Sequence, residues 1–534
     1  MIAWALALAC SEPPREDALA RDPQRVLERA SMDLRGVRPS PEERDAVEAD
    51  PAVLDGMVED MLQDARFPGR VRALWAEVYR TRVDGLLLDA ETVGLEDEVA
   101  WVRAAGEEPL RVLGELAATD APLTELLTGE GTLVDATLAQ VYPVQVGAPA
   151  TTGEGWSHAR WTDGRPAAGV LASNGLWLRY TSTPSNAQRG RANAIARIFL
   201  CQDFLAQPIA FAEGQDLLDE ARLRDALRED PSCTACHRTL DPLASHLFGF
   251  TAYDASDPRE ALRYHPEREH GWSVTTGVAP GYYGRPSGGR LDELGAQVAA
   301  DPRFARCMAE QAWSLVARRP AAPEDEPAIA AVREAFVREG ATVRALLRAV
   351  VADPRYATGA PAVVTPDQMA SQIEALTGFR WSRAGTELLS LDAIGVIEKQ
   401  EAVDVGTTGF RTLAGGVDGD QVTAPADRAT VPSVLVQARL AEAAAMWAVA
   451  NAPERVLPGL DLRETPATGR VAMAEVLVGW HRALYGARVP SDGEEVAAAL
   501  SLWEAAYAIR GDARMAWATV LTALLRDPRL MEYG

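Results

Sequence analysis

The sequence Cys233-Thr234-Ala235-Cys236-His237 has the C-x-x-C-H spacing at which haem is covalently attached to proteins. Its two thiols can form thioethers with the porphyrin vinyl groups, and the adjacent imidazole is placed to ligate the iron. Because the chain has 5 Cys and 6 His among 534 residues, about 0.0005 accidental matches are expected in its whole length. We therefore predict one haem c, bound covalently by Cys233 and Cys236, with His237 as an iron ligand.

Asp241 is a candidate partner for the imidazole of His237. It lies one helical turn later, so it or a carbonyl near Pro242 could accept the second ring N–H and fix the tautomer. In the alternative interpretation, Asp241-Pro242 only ends the helix, since proline cannot continue one. For the sixth iron ligand the sequence leaves five alternatives, which are an open position and the side chains of His246, Met308, His265 and His270.

A structural zinc site is the main competitor of haem at this motif. His265 and His270 form an H-x₄-H pair that would complete a tetrahedral site with Cys233 and Cys236. Haem is favoured because the loop between the two pairs is long for a zinc finger and because zinc would leave His237 without a role. A thioredoxin-like redox pair is disfavoured because no βαβ pattern surrounds the thiols.

The composition is that of an acidic globular protein. Hydrophobic residues make up 47% of the chain, its formal charge is −24, and Lys399 is the only lysine. Such a surface disfavours nucleic acid, which requires a basic footprint. It suits docking to a basic redox partner, and it also serves solubility. No apolar run is long enough to cross a membrane, and the length predicts more than one domain.

The first ten residues are small and apolar up to Cys10, which is typical of a bacterial lipoprotein signal with Ala7-Leu8-Ala9-Cys10 as a loose lipobox. Cys10 would be acylated, and the protein would lie in the periplasm or at the cell surface with a lipid anchor as its membrane attachment. The apolar run is short and has no basic segment before it. A start codon placed too far downstream would explain both departures.

Export also predicts a disulfide. If Cys10 carries lipid and the thiols of the C-x-x-C-H motif carry haem, Cys201 and Cys307 are the cysteines that remain. An oxidising compartment favours their pairing. The alternative is that both are buried thiols.

The amphipathic segments predict a mainly α, multi-module helical protein with an embedded cytochrome-c-like haem module. Several of these segments end in a recurring sequence. Three of the four copies end a segment that begins with proline and acidic residues. Each of these three segments is predicted to form a helical hairpin, with the acidic residues in the first turn of its first helix. Irregular spacing indicates duplicated modules rather than a solenoid. The copies are Asp64-Ala65-Arg66-Phe67, Asp301-Pro302-Arg303-Phe304, Asp353-Pro354-Arg355-Tyr356 and Asp527-Pro528-Arg529-Leu530.

Breaks rich in Gly and Pro divide the chain into candidate modules. The prediction is a signal at 1–10, a tether at 11–22, an N-terminal helical region at 23–105, a middle region at 106–230, a haem module at 231–320, a helical hairpin at 321–360 and a C-terminal helical region at 361–534.

The residues around the haem motif resemble a known family. Residues 231–243 are similar to the "C-x-x-C-H-x-x-x-D-P-[IL]-G" signature of the large cytochrome-c-containing proteins of planctomycetes and myxobacteria, which are built from the domains of unknown function DUF1549, DUF1592, DUF1588 and DUF1585. Residues 30–43, 169–201 (with Gln188-Arg189-Gly190) and 304–307 resemble further segments of these proteins, and so do residues 409–418. Ala244 departs from the pattern, because the family usually has glycine there.

The resemblance implies a DUF1549-like region at 23–105, a DUF1592-like region at 106–230 and a DUF1588/DUF1585-like haem module at 231–320. It also implies an exported c-type cytochrome, but no established reaction. Outer-sphere electron transfer is the predicted role. The alternatives are a haem-dependent oxidoreductase or peroxidase acting on a small or carbohydrate-derived substrate, and a cell-surface binding scaffold. Whether the protein is an enzyme is left open.

Two further features have a structural and a functional interpretation. Trp156, Trp161 and Trp177 could line a carbohydrate site, but the prediction is that they pack in the core. Asp418-Gly419-Asp420 could bind Ca²⁺, but the other ligands of a calcium loop are missing, and the prediction is a tight turn.

Overall fold

The computed structural model of the protein describes residues 22–207, 226–227, 229–252, 256–383, 385–394 and 407–534. The predicted lipoprotein signal, with Cys10, lies outside the described residues. The predicted tether lies outside them as well, except for its last residue, and so does Lys399.

The described chain is mainly helical, as the sequence predicts. None of the described helices combines the length and the apolar character that crossing a membrane requires. The helices are α1 (Pro23–Arg35), α2 (Pro41–Ala49), α3 (Leu54–Gln63), α4 (Phe67–Tyr79), α5 (Ala90–Val93), α6 (Glu98–Thr119), α7 (Glu125–Thr128), α8 (Leu138–Val141), α9 (Asn174–Arg179), α10 (Arg189–Leu200), α11 (Pro231–Ala244), α12 (Trp272–Thr275), α13 (Leu291–Ala299), α14 (Pro302–Ala317), α15 (Glu326–Arg338), α16 (Val343–Ala352), α17 (Pro366–Thr377), α18 (Val431–Asn451), α19 (Pro453–Val456), α20 (Pro466–Tyr485), α21 (Glu494–Arg510) and α22 (Ala513–Leu525).

The strands are short and antiparallel. One three-stranded sheet has the order β1-β3-β2, with Leu133 paired to His158. The other strands form two-residue ladders, in which β4 pairs with β5, β6 with β11, β7 with β8, and β9 with β10. The strands are β1 (Thr132–Val134), β2 (Val144–Pro149), β3 (Ser157–Trp161), β4 (Gly281–Tyr282), β5 (Arg285–Pro286), β6 (Ala362–Val363), β7 (Ser382–Arg383), β8 (Thr386–Glu387), β9 (Ala393–Ile394), β10 (Thr407–Thr408) and β11 (Glu532–Tyr533).

Capping residues in the sequence explain where the first helices begin and end. Asp22 accepts a hydrogen bond from the Gln24 amide at 3.0 Å and so caps α1. Gly36 ends α1 with a φ of 74°, a left-handed conformation that glycine adopts without steric cost. Ser40 and Glu43 bond reciprocally as a capping box at the start of α2.

Two large hydrophobic cores organise the helices. The first is built from residues between Val26 and Ala357 and includes residues of α11, which carries the C-x-x-C-H motif. The second is built from residues between Ala362 and Tyr533, together with Met32 of α1. A smaller third cluster contains residues of α6 and of the β1-β3-β2 sheet. Helix α1 therefore contributes to both large cores.

The recurring sequence forms the same turn in all four places, which we name the Asp turns. In each, the Asp Oδ1 accepts a hydrogen bond from the backbone N–H of the arginine two residues later, at 2.8, 2.9, 2.8 and 2.9 Å in chain order. Such Asx turns cap a following helix, and α4 and α14 begin inside them. The fourth residue is buried in every copy, namely Phe67, Phe304, Tyr356 and Leu530.

Two of the three predicted hairpins are confirmed in the described chain. Helices α15 and α16 pack against each other, and so do α21 and α22. Their first helices carry Glu326 and Glu494 in the first turn, where a negative charge interacts favourably with the helix dipole. Helices α2 and α3 are joined by a short 3₁₀ turn, and Glu42 lies in the first turn of α2.

Candidate haem-attachment site

The C-x-x-C-H motif lies in the first two turns of α11. Asp230 precedes this helix and accepts a hydrogen bond from the Ser232 amide at 2.8 Å. Residues spaced three and four apart share one face of a helix, so Cys233, Cys236 and His237 are neighbours there. All three side chains are partly exposed, and both thiols are free. The motif is thus formed on a regular helix with its reactive groups accessible.

Asp241 holds the imidazole of His237. The Nδ1 of His237 lies 2.9 Å from Oδ1 of Asp241. Arg189, the first residue of α10, donates to the same carboxylate from Nε at 2.7 Å and from Nη2 at 3.0 Å. Burial raises the pKa of the Asp241 carboxyl, but the hydrogen bonds from His237 and Arg189 outweigh it and lower this pKa below its ordinary value.

The ionised carboxylate decides which imidazole nitrogen carries the proton. A carboxylate only accepts hydrogen bonds, so Nδ1 of His237 donates to Asp241, and the lone pair is on Nε2. That Nε2 makes no hydrogen bond with any residue that the structure describes. Metal-binding histidines are typically oriented in this way by a second-sphere acceptor.

Helix α11 continues through Pro242 to Ala244, so the interpretation that Asp241-Pro242 only ends the helix is wrong. The chain then enters a 3₁₀ turn at Ser245–Phe250. Ala244, where the family pattern has glycine, has a φ of −60° and a ψ of −31°. These are helical angles that alanine adopts without strain, so the backbone here does not require glycine.

The helix that carries Arg189 is tied to the first core. Cys201 follows directly after α10, and its sulfur lies 2.11 Å from that of Cys307 in α14, at disulfide bonding distance, with the Cα atoms 5.2 Å apart. The next residue, Gln202, accepts a hydrogen bond from the Tyr283 hydroxyl at 2.7 Å. Helix α10 also packs along α11. The position of Arg189 beside Asp241 is therefore supported by the packing of α10 on α11 and by contacts directly after the C-terminal end of α10.

Among the candidates for the sixth ligand, His246 has a ring nitrogen without a partner. It lies in the 3₁₀ turn after α11 and is buried. Its Nδ1 is 3.1 Å from the carbonyl oxygen of Arg290, and its Nε2 has no hydrogen-bond partner among the described residues. Burial lowers the pKa of His246, which favours the neutral imidazole.

None of the other three candidates is a buried histidine with a free ring nitrogen in the described chain. His265 uses both ring nitrogens locally, with Nε2 at 3.1 Å from the Glu260 carbonyl oxygen and Nδ1 at 3.3 Å from a Glu267 carboxylate oxygen. His270 is exposed, and Met308 is buried in the first core. The identity of the sixth ligand stays a prediction with its alternatives.

The four residues of the zinc alternative do not form a metal site in the described part of the chain. No group of three or more His, Cys, Asp or Glu side chains there could hold a metal ion. His265 is already bonded within its own loop. The structure therefore gives no support to tetrahedral coordination by Cys233, Cys236, His265 and His270.

The tryptophan cluster and the segment at Asp418 both have a structural explanation. Trp156 and Trp177 are buried, and Trp161 lies under the guanidinium of Arg165 at 3.6 Å from the ring centroid. Asp418 Oδ1 accepts three backbone N–H groups, those of residues 420, 421 and 422, at 2.8, 2.9 and 2.8 Å. The prediction of core packing is confirmed for Trp156 and Trp177, whereas Trp161 is partly buried and packs against the core. The prediction of a tight turn at Asp418 is confirmed.

Arg189 is the site residue that the sequence analysis left without a role. It lies 52 residues before Asp241, so no local spacing connects the two. The available signal was its place in Gln188-Arg189-Gly190, one of the segments that carry the family resemblance.

Comparison with known proteins gives one family match. A family model described as "Protein of unknown function (DUF1585)" matches residues 289–356, which supports the DUF1585 part of the resemblance. The matched segment contains α13 to α16, Cys307 and two Asp turns. It begins after His237 and crosses the predicted module boundary at residue 320. No curated protein and no solved structure matches the chain.

Proposed function

We propose that this protein is an exported c-type cytochrome that carries one haem and transfers electrons by an outer-sphere route. The observation that carries the proposal is the contact of His237 Nδ1 with Asp241 at 2.9 Å, on the same helix as two free cysteines at haem-attachment spacing. When bound, the haem would supply reversible one-electron chemistry at iron.

Each residue of the site would have a separate task. Cys233 and Cys236 would hold the porphyrin through thioether bonds, and His237 would ligate the iron through Nε2. Asp241 keeps the proton on Nδ1 and fixes the plane of the ring. Arg189 holds the Asp241 carboxylate in place through two hydrogen bonds.

The wider organisation and the location are part of the same proposal. The DUF1585 match supports the DUF1585 part of the relationship to the cytochrome-c-containing proteins. The proposal adds a DUF1549-like region at 23–105, a DUF1592-like region at 106–230 and a DUF1588/DUF1585-like module at 231–320. The protein would lie in the periplasm or at the cell surface, held by a lipid on Cys10. Its formal charge of −24 favours a redox partner with a basic docking surface, and raising the ionic strength would slow that electron transfer.

Mass spectrometry tests the covalent attachment directly. We expect that protein produced natively, or with haem-maturation machinery, carries one tetrapyrrole on the peptide that contains Cys233 and Cys236. The Cys233→Ser/Cys236→Ser variant should lose the covalent link, and each single variant should keep at most one thioether bond. A Cys201→Ser/Cys307→Ser variant is the matched control, because it removes two cysteines and should retain the haem. Wild-type protein without a covalent tetrapyrrole would falsify the proposal.

The Asp241→Asn variant tests the role of the residues around the iron ligand. A carboxylate acceptor makes the imidazole a more basic ligand and so stabilises ferric iron. We therefore expect this variant to keep its haem and to have a higher reduction potential than the wild type, measured by redox titration of the absorption spectrum. His158→Gln, which changes an exposed histidine that is not a candidate ligand, should leave the potential unchanged. Equal potentials in all three proteins would contradict the assigned orientation of His237.

Cyanide binding separates the carrier from the haem-dependent oxidoreductase. A carrier with two protein ligands at the iron should bind cyanide slowly and weakly. A rapid spectral change at low cyanide concentration would show an open sixth position and favour the oxidoreductase. If cyanide binds slowly, His246→Ala tests whether His246 is the second protein ligand, because loss of that ligand would change the oxidised spectrum and speed cyanide binding.

A further inference from the structure

A polar cavity lies between the two large cores, away from the C-x-x-C-H helix. Its volume is about 620 Å³, in the range of small-molecule sites. It is lined by residues of α4 and α6, by residues of α17, and by described residues between 380 and 391 together with Arg411. Nine of the lining residues are arginines and six are Asp or Glu, although the whole chain has a formal charge of −24.

Most of these arginines are neutralised by a carboxylate. Around α6, the Arg82 guanidinium lies 2.6 Å from Glu107 and 3.4 Å from Asp367. Arg72 and Arg111 share Glu154, at 3.1 and 2.7 Å. These ion pairs compensate the positive charges of the paired arginines. An arginine in the cavity without an ion pair therefore needs a separate explanation.

Arg70 is the clearest exception. Its side chain is buried, with 6% of the residue exposed, and it makes no ion pair with any described residue. Its Nε donates to the Asp33 carbonyl at 3.3 Å, while Nη1 makes no hydrogen bond in the described chain and Nη2 is a buried nitrogen without a partner. A buried guanidinium with unused N–H groups is costly unless an anion satisfies it.

A second unpaired arginine lines the same cavity at the other end of the helix pair. Arg103 of α6 has no carboxylate oxygen within 4.0 Å among the described residues. Burial lowers its pKa and outweighs the more distant attraction of Glu107 and Glu387. Helix α6 brings Arg111 beside Arg72 of α4. Arg103 lies eight residues before Arg111, about 12 Å along the helix axis. The cationic groups are thus spread over a length that a single small anion does not span.

A further polar group in the cavity has no partner. Thr152 Oγ1 is buried without a hydrogen bond to any described residue, and Thr152 lines the cavity. The start of α4 contributes little, because Pro68 has no N–H and the Phe67 N–H donates to the Asp64 carbonyl at 2.9 Å.

We propose that this cavity binds a small molecule that carries two or more carboxylate, sulfate or phosphate groups, with Arg70 and Arg103 as its unpaired cationic contacts. Planar guanidinium groups match these oxoanions through paired hydrogen bonds. Ligand binding would satisfy donors that the folded chain leaves open. The site is independent of the haem proposal, since none of its residues belongs to α10 or α11.

Isothermal titration calorimetry of the purified full chain tests the proposal. The probes are citrate, inorganic phosphate, sulfate and trigalacturonate, which distinguish a small polycarboxylate, single oxoanions and an acidic sugar chain. We expect at least one multiply charged probe to bind, and its affinity to fall as NaCl is added. Arg70→Leu and Arg103→Gln should each weaken binding by about tenfold or more, the loss expected for a hydrogen bond to a charged group.

Two controls make the outcome decisive. Arg439→Gln changes an exposed arginine outside the cavity, with a side chain 76% exposed, and should bind the probe like the wild type. Without ligand, Arg70→Leu should melt at the same temperature or higher, because it removes an unpaired buried charge. A lower melting temperature together with unchanged probe affinity would show that Arg70 is structural. That result, or the absence of binding by every probe, overturns the proposal.

Discussion

Two neighbouring glutamates of α6 show how nearby arginines change the pKa of a buried carboxyl group. Burial raises the pKa of both carboxyls. At Glu107 the arginines Arg82, Arg72 and Arg111 outweigh burial and lower the pKa to about 2. At Glu108 burial outweighs the hydrogen bonds from the Gly175 amide and the Thr132 hydroxyl and the attraction of Arg165, and its pKa rises to about 7.

The Glu108→Gln variant should change the pH dependence of stability. Between its ordinary pKa of 4.5 and about 7, Glu108 is protonated in the folded state and ionised in the unfolded state, so wild-type stability falls as pH rises through this window. Above this pH window the contribution of Glu108 to the unfolding free energy no longer changes. Across the window the wild type loses ~3 kcal/mol of unfolding free energy through Glu108. We therefore expect the variant to gain stability relative to the wild type from pH 5 to pH 8, measured by urea denaturation.

Glu107→Gln is the matched control for that experiment. Glu107 is ionised at every pH above about 2, so its replacement should lower stability by a similar amount at pH 5 and pH 8. Parallel stability curves for the wild type and Glu108→Gln would contradict the assignment of the raised pKa.

At the same scale, the sequence predicted the contact of His237 with Asp241 because the two are one helical turn apart. It could not predict that Arg189 would share the carboxylate. That contact needs α10 and α11 to pack side by side, which depends on the burial of many other residues.

At the scale of elements, the four Asp turns repeat one local rule. An aspartate accepts the N–H two residues on, and the chain then buries the fourth residue. The sequence predicted these turns as helix ends. The structure adds that the turns at Asp64 and Asp301 also start α4 and α14, because the same Asx bond leaves the following residues free to become helical.

The disulfide between Cys201 and Cys307 should make a large contribution to the stability of the first core. It closes a loop with a sequence separation of 106 residues, for which loss of chain entropy in the unfolded state corresponds to about 5 kcal/mol. We expect the Cys201→Ser/Cys307→Ser variant to lose stability of this order, measured by urea denaturation.

The wild type in a reducing agent should show the same loss, which controls for the serine substitutions. If thiol counting on the denatured, unreduced protein finds Cys201 and Cys307 free, or if reduction leaves the urea midpoint unchanged, the disulfide does not form.

At the scale of the whole molecule, one buried carboxylate joins the two large cores. Asp33 of α1 accepts a hydrogen bond from the Tyr356 hydroxyl at 2.8 Å and from the Tyr533 hydroxyl at 2.6 Å. Tyr356 belongs to the first core and Tyr533 to the second. Nearby, Gln368 of α17 donates to the Met32 carbonyl at 2.9 Å. Helix α1 therefore connects the beginning and the end of the chain.

The double variant Tyr356→Phe/Tyr533→Phe tests this connection. It removes both hydroxyl groups that donate hydrogen bonds to the buried Asp33 carboxylate. We expect the free energy of unfolding to fall by about 3 kcal/mol. We expect a lower melting temperature and, in differential scanning calorimetry, separation of a single transition into two as the cores become less coupled. Tyr507→Phe, whose hydroxyl has no hydrogen bond in the described chain, is the control and should melt like the wild type. A single transition at the wild-type temperature would contradict the role of Asp33.

What the sequence alone determined about this protein rests on short-range physics. Helical periodicity, caps, Asx turns and the three-residue and four-residue spacings at Cys233 and His237 act within one or two turns, so they can be recognised without knowing the fold. The tertiary structure decided which distant groups meet, such as Asp33 with Tyr533, 500 residues apart, and the arginines around the cavity between the cores. Those contacts follow from the packing of whole helices, which minimises exposed apolar area over the entire chain rather than within any segment of it.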